Sequence, residues 1–295
     1  MKYLIFICSF TLFFHSDIKP QSNKTEIQKN IDSQKEKFEK IAKSIWTWAE
    51  VGYQEEKSTA LLKKTLSDEG FDIRSGVAEI PTAFVAEYGS GFPVIGILAE
   101  FDALPGISQS VATKRVPILD NNAGHACGHH LFGTASTAAA IAIKDYLKSS
   151  NQKGTIRLYG TPAEEGGSGK VYMVRAGLFD DVDFVLDWHA SDRNAANPGT
   201  SMANRSAKFK FYGYSAHAAG APEKARSSLD AVEAMNHMVN LLREHIPDGS
   251  RIHYVITKGG NTPNVVPDFA EVFYYVRDFN VNILENIWSR VVKAR

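Results

Sequence analysis

The ten residues Asn121-Asn122-Ala123-Gly124-His125-Ala126-Cys127-Gly128-His129-His130 place three histidines and a cysteine within six positions, directly ahead of the long apolar stretch Leu131 to Leu147. Thiolate and imidazole are good ligands for zinc-like ions. Gly124 and Gly128 flank the cysteine and let the backbone fold tightly enough to aim Cys127 and His129 at one point. Taken alone, the stretch reads better as a loop with one buried thiol and a surface histidine cluster. The partners elsewhere in the chain favour metal.

Glu164 and Glu165 are adjacent carboxylates in a Gly-rich segment, and they repel unless something positive lies between them. A metal accounts for the pair: one glutamate ligates it while the other holds a water and moves its proton, because a bound divalent ion brings the pKa of water down to about 7. Without a metal they read as two solvated carboxylates at a helix N-terminus, where negative charge is favourable. Cys127, His129, Glu165 and His189 make four candidate ligands. Two metals about 3.5–4 Å apart need a bridge, for which Cys127 is one candidate, and a further residue. Asp102 is better placed behind the ligands, orienting a histidine. His217, among small residues in Ser215-Ala216-His217-Ala218-Ala219-Gly220, reads either as a donor to a developing oxyanion or as a loop histidine without a role. Asn264 and Arg277 are weaker candidates for gripping a substrate carboxylate.

The elements that must position these residues alternate between strand and helix. Apolar residues recur at helical spacing over about Glu26 to Glu50, and a second helix, capped by Ser58, ends at Gly70. Strands are expected at Phe71–Arg74, Ala83–Glu87, Val94–Leu98, Thr155–Tyr159 and Phe184–His189, with a helix after the Cys/His loop and another near Gly169 to Ala176. The pattern predicts an α/β fold with a mostly parallel sheet. Ligands bind such sheets beyond the carboxyl ends of the strands. Glu100/Asp102, Glu164/Glu165 and His189 each follow a strand.

Composition shifts over Asn194 to Ser206. Beyond it strand Ala207–Tyr214, helix Ser228–His245, strands Arg251–Thr257 and Ala270–Asp278, and a helix from about Asn282 form a ferredoxin-like α+β unit without its last strand. The expected organisation is a catalytic domain over 21–205 and a second domain over 206–295. Residues 1–20 read as a secretory signal: Lys2 precedes the short apolar run Tyr3–Phe14. The chain is expected to be secreted or periplasmic, or membrane-anchored if the segment is retained. Cys8 lies in that segment, which leaves Cys127 alone and excludes an internal disulfide in the mature chain. Of 295 residues, 44% are hydrophobic, enough for a substantial core, and 33 basic against 33 acidic residues argue against nucleic acid as the main partner.

The motifs Glu100-Phe-Asp-Ala-Leu, Gly124-His-Ala-Cys-Gly-His, Ala163-Glu-Glu-Gly-Gly-Ser-Gly-Lys, Asp187-Trp-His, Ser215-Ala-His-Ala-Ala and Pro263-Asn-Val-Val-Pro together resemble the M20 family of metallopeptidases and amidohydrolases, over about Lys37 to Asp278. The resemblance implies two divalent ions, zinc or manganese, with Cys127, His129, Glu165 and His189 as ligands and Glu164 as general base. It implies that His217 assists the substrate carbonyl, and that an inserted satellite domain carries homodimerisation. The implied substrate is an N-acyl or aminobenzoyl amino acid of the p-aminobenzoyl-glutamate kind. Two features depart from the family: His130 stands where Asn or Asp is usual, and Pro222-Glu223 where Pro-His is usual. No histidine after His253 fills the place of the family's last metal ligand, so the chain is expected to be incomplete at its C-terminus. The rival readings are an inactive metal-binding remnant and a dipeptidase of the same family.

Overall fold

The structure, a computed structural model, describes residues 20–118, 122–196 and 199–295. The expected signal, Cys8 included, lies outside the described residues except for Pro20, which opens the first helix. Among the described residues no helix is long and apolar enough to cross a membrane. The chain divides into two compact units between Arg193 and Asn194, earlier than the expected 205/206 boundary.

The first unit begins with α1 (Pro20–Ser33) and α2 (Lys35–Trp48). The single helix expected over Glu26–Glu50 is thus broken, at Gln34, whose ψ of 10° leaves the helical region. Phe38, Ile41, Ala42 and Ile45 give α2 one buried face. Then follow α3 (Glu56–Asp68), β1 (Asp72–Ser75), β2 (Phe84–Ser90), β3 (Val94–Ala99), the short ladder of β4 (Leu104–Pro105) and β5 (Ala123–Gly124), and α4 (His129–Ser150). After β6 (Gly154–Gly160) come the single turn α5 (Glu164–Gly167), α6 (Gly169–Arg175) and β7 (Phe184–Leu186). Ser58 does not cap α3. The Glu50 carboxylate does, accepting from the backbone N–H groups of Lys57 and Ser58, both at 2.9 Å, and from the Ser58 hydroxyl at 2.7 Å.

The sheet order is β1-β2-β6-β3-β7. β3 runs parallel to β6 and to β7, while β1–β2 and β2–β6 are antiparallel. The expectation of a mostly parallel sheet is therefore corrected to a mixed one. The connection between β1 and β2 holds only the 3-10 turn Val77–Glu79, too little for a crossover, so the chain returns antiparallel. The three parallel neighbours β3, β6 and β7 still end on one edge of the sheet, and Glu100–Asp102, Ala163–Glu165 and Asp187–His189 follow those ends. β7 stops at Leu186, so His189 lies in the segment beyond it.

Helix α4 lies close against β3. A Cβ on Gly133 would stand 2.7 Å from the Glu100 carbonyl oxygen. The Ser136 hydroxyl donates to the Leu98 carbonyl at 2.8 Å. Ile45, Leu62, Leu66, Phe84, Phe101, Ile141, Ile156 and Leu158 form the core beneath.

The second unit holds β8 (Ala203–Tyr212), α7 (Ser228–Leu242), β9 (Arg251–Lys258), β10 (Phe269–Asp278) and α8 (Val281–Lys293). Its sheet is antiparallel in the order β8-β10-β9. Val232 and Val239 of α7 and Ile287 and Val291 of α8 pack with Val272, Tyr274 and Val276 of β10. The β-α-β-β-α order expected from the sequence is the order observed.

Candidate metal centre

His129 opens α4 and is fully buried. Gly128 before it sits at φ 91°, a conformation that costs other residues more, and it turns the loop into the helix. Gly124 serves differently: a Cβ there would lie 2.4 Å from the Ile107 carbonyl oxygen, so the need is for close approach. His129 Nδ1 lies 3.0 Å from both Asp102 Oδ1 and the Asp102 carbonyl oxygen. With Nδ1–H donating there, Nε2 presents its lone pair to the site. That atom is buried without a hydrogen-bond partner among the described residues, although Glu100 Oε2 lies 3.1 Å away. The other oxygen of Asp102 accepts from the Glu165 N–H at 2.8 Å, so one carboxylate ties the histidine to the glutamate turn.

His189 repeats the arrangement. Its Nδ1–H donates to the Ala190 carbonyl at 3.0 Å, and Nε2 lies 3.2 Å from Cys127 Sγ. Ligand atoms of Cys127, His129 and His189 all lie within 4.8 Å of one another, and so do those of His129, Glu164 and Glu165. The two groups share His129. All four expected ligands and the expected base thus stand around one imidazole.

The electrostatics fit a cation. Burial first, then Glu165, Glu164 and Glu100, push the Cys127 thiol up to about 11. Burial and then the Glu164 charge raise Glu165. Burial pulls His129 down, but Asp102 and the neighbouring carboxylates outweigh it, and the ring is held above its ordinary value. Burial likewise opposes ionisation of Asp102, and the bonds from His129 and Glu165 N–H overcome it. Thiol, imidazole and carboxylate donors crowded in this way, with a buried imidazole nitrogen left over, suit zinc and do not exclude manganese. Lys170, not singled out from the sequence, pairs with Glu100 at the rim of the cluster.

The other histidines of the motif serve the scaffold. His125 Nε2–H donates to the Ile45 carbonyl at 3.2 Å, its ring lies 5.0 Å from that of His130, and burial pushes it down to about 4. Two contacts that local reading missed reach the glutamate turn from Ala49–Glu55. Buried Glu55 accepts from the Ala163 N–H at 2.8 Å, and the Tyr53 hydroxyl donates to the Gly167 carbonyl at 2.6 Å. Their partners are 108 and 114 residues away, and no spacing rule connects them.

In the second unit, His217 Nδ1 accepts from the N–H groups of Ala219 and Gly220 at 3.2 and 3.1 Å, so the exposed ring carries its proton on Nε2. Its loop meets that of Asn264, whose carbonyl accepts from the Ala218 N–H at 3.0 Å. Arg277 is not brought to them. It pairs with Asn204 and Arg251 near one end of β10, whereas Phe269, paired with Tyr212, marks the end nearer these loops. Eight residues of strand separate the two ends by about 27 Å. Arg277 instead lies over the Tyr275 ring at 5.4 Å.

Residues 96–271 match the model of Peptidase family M20/M25/M40. The p-aminobenzoyl-glutamate hydrolase B chain from Escherichia coli is 43% identical over 265 residues, which are 89% of this chain and 55% of that protein. The human Xaa-Arg dipeptidase is 31% identical over 263 residues, 84% of this chain and 56% of that one. The chain therefore spans about half the length of these curated relatives. Two crystal structures share the fold at TM-score 0.62 and 20% identity: an aminobenzoyl-glutamate utilization protein from Klebsiella pneumoniae, covering 91% of this chain and 73% of that one, and a dinuclear metal-binding peptidase of the M20 family from Bacillus subtilis, covering 89% and 69%.

Proposed function

The chain belongs to Peptidase family M20/M25/M40, and from that premise we propose that it serves metal-dependent hydrolysis of an amide bond between an acyl or aminobenzoyl group and an amino acid. One observation carries the reading: Cys127, Glu164, Glu165 and His189 converge on the buried Nε2 of His129, which makes no hydrogen bond among the described residues and has the Glu100 carboxylate 3.1 Å away, while the other nitrogen is tied to Asp102. The similarity to the Escherichia coli hydrolase supports the substrate class.

In this reading Cys127, His129, Glu165 and His189 hold divalent ions, zinc or manganese. Bound there, such ions supply Lewis-acid polarisation of the carbonyl and an acidified water. Glu164, whose side chain is about half exposed, is free to take the proton of the attacking water and to return it to the leaving nitrogen. Asp102 keeps the His129 ring and the Glu165 backbone in register. For the second unit the proposed roles are those expected from the sequence and its motif resemblance: donation of the His217 Nε2–H to a carbonyl oxygen, substrate binding by Asn264, and homodimerisation.

The test is hydrolysis of p-aminobenzoyl-glutamate with added zinc or manganese, before and after chelation. Chelator-sensitive release of p-aminobenzoate supports the proposal, and release that persists after chelation overturns the metal mechanism. The likeness to an Xaa-Arg dipeptidase gives a second substrate class. A dipeptide ending in arginine, run beside the aminobenzoyl substrate, separates the two.

A further inference from the structure

The segment between α2 and α3, Ala49 to Glu55, touches both carboxylate-bearing loops of the centre. Its backbone holds the Asp102 loop: the Glu50 carbonyl accepts from the Ala103 N–H at 2.8 Å, and Val51 forms a parallel bridge with Ala103. Its side chains hold the Glu164–Glu165 turn from both ends, Glu55 at the Ala163 N–H and Tyr53 at the Gly167 carbonyl. Between these bonds Gly52 lies against Ala163, so closely that a Cβ on Gly52 would come 2.9 Å from Ala163 Cα. Ala49, Tyr53 and Ala163 all adopt positive φ, at 43°, 66° and 56°, so the segment and the turn it meets hold conformations that non-glycine residues rarely adopt. The segment is itself anchored, because the Glu50 carboxylate caps α3.

We propose that Ala49–Glu55 is the clamp that positions the glutamate pair, with Glu55 as its principal positioning residue and Tyr53 as the second. The inference rests on reading Glu165 as a ligand and Glu164 as the base. Glu55 is completely buried, and its second oxygen, Oε2, has no hydrogen-bond partner among the described residues. The work done for the turn is therefore acceptance of one N–H by Oε1, and a neutral amide oxygen does this equally well. Burial moves the Glu55 carboxyl toward its neutral form, in keeping with that view. A turn that pivots at Ala163 shifts both glutamates together. Displacement of about 1 Å costs roughly a hundredfold in rate, and loss of an outer contact to a ligand costs about 10- to 100-fold in metal affinity.

The experiment compares Glu55→Ala, Glu55→Gln and Tyr53→Phe in the full chain. One readout is zinc affinity, measured by competition with a chromophoric chelator. The other is the split between kcat and KM on p-aminobenzoyl-glutamate. Expected are about tenfold or greater weakening of zinc binding and a fall in kcat at little-changed KM for Glu55→Ala, a smaller change of the same kind for Tyr53→Phe, and values within about threefold of wild type for Glu55→Gln. Tyr53 is 43% exposed, so its variant keeps the test decisive should Glu55→Ala not fold. Glu55→Gln as impaired as Glu55→Ala, or Tyr53→Phe unchanged in both readouts, overturns the clamp. A wild-type chain that binds zinc but hydrolyses nothing overturns the proposed reaction instead, and the order of zinc affinities still decides the clamp.

Discussion

Asp102 has two carboxylate oxygens and both are used inside the protein, one on the His129 ring and one on the Glu165 backbone. Asparagine at this position keeps one acceptor and turns a donor toward the other partner. Asp102→Asn is therefore expected to weaken zinc binding about 10- to 100-fold, read by the same chelator competition. Glu164 differs: its carboxylate is about half exposed and meets His129 Nε2 only at 3.9 Å, which suits a group that must gain and lose a proton. Glu164→Gln is expected to leave zinc bound while turnover falls by about 10²- to 10⁴-fold or more. Unchanged turnover in that variant removes Glu164 from the base role. These residues were legible because their types are rare and their motifs short. Cys127 and His129 stand two apart, and Glu164 and Glu165 are adjacent. Tyr53, Glu55 and Lys170 were not legible, because each meets the site only through a partner distant in sequence.

At the scale of elements, the approach of α4 to β3 fixes where His129 stands. Gly133 lies one turn after His129, on the same face of the helix. Alanine would ordinarily favour the helix by about 1 kcal/mol, but its Cβ meets the Glu100 carbonyl at 2.7 Å. Overpacking costs about 1–3 kcal/mol and should win, so Gly133→Ala is expected to destabilise the first unit in urea unfolding and to weaken zinc binding with it. Glu69, just past α3, joins three helices by accepting from Lys37 of α2 at 2.7 Å and Lys144 of α4 at 2.9 Å. These bonds hold its carboxyl below the ordinary 4.5. A lowered folded value means that Glu69 favours the folded state above the unfolded value and loses that effect as pH falls through the lowered one. The stability gap between wild type and Glu69→Gln should thus be largest near neutrality and shrink below about pH 4.5, with a size of about 1 kcal/mol because the carboxylate is only part-buried and Lys37 is exposed. A gap that stays constant with pH contradicts this assignment. Helices and strands were largely legible from periodicity, but strand direction was not. Alternation shows which residues face a core and says nothing about whether β2 meets β6 head to head. The break at Gln34 and the Glu50 cap of α3 escaped for a related reason, since neither has a local pattern.

At the scale of the whole molecule, the chain carries two compact units and spans about half the length of its curated relatives. β7 ends the first sheet, and Phe184, Val185 and Leu186 are all exposed, at 64%, 45% and 55%. The most direct test of the central claim is cobalt(II) titration of the full chain, followed by its absorption spectrum. A centre built on Cys127 and His129 predicts a thiolate-to-cobalt charge-transfer band that is absent in Cys127→Ser and weakened in His129→Ala. A spectrum with no thiolate band, or one unchanged by Cys127→Ser, contradicts the metal centre and with it the proposed hydrolysis.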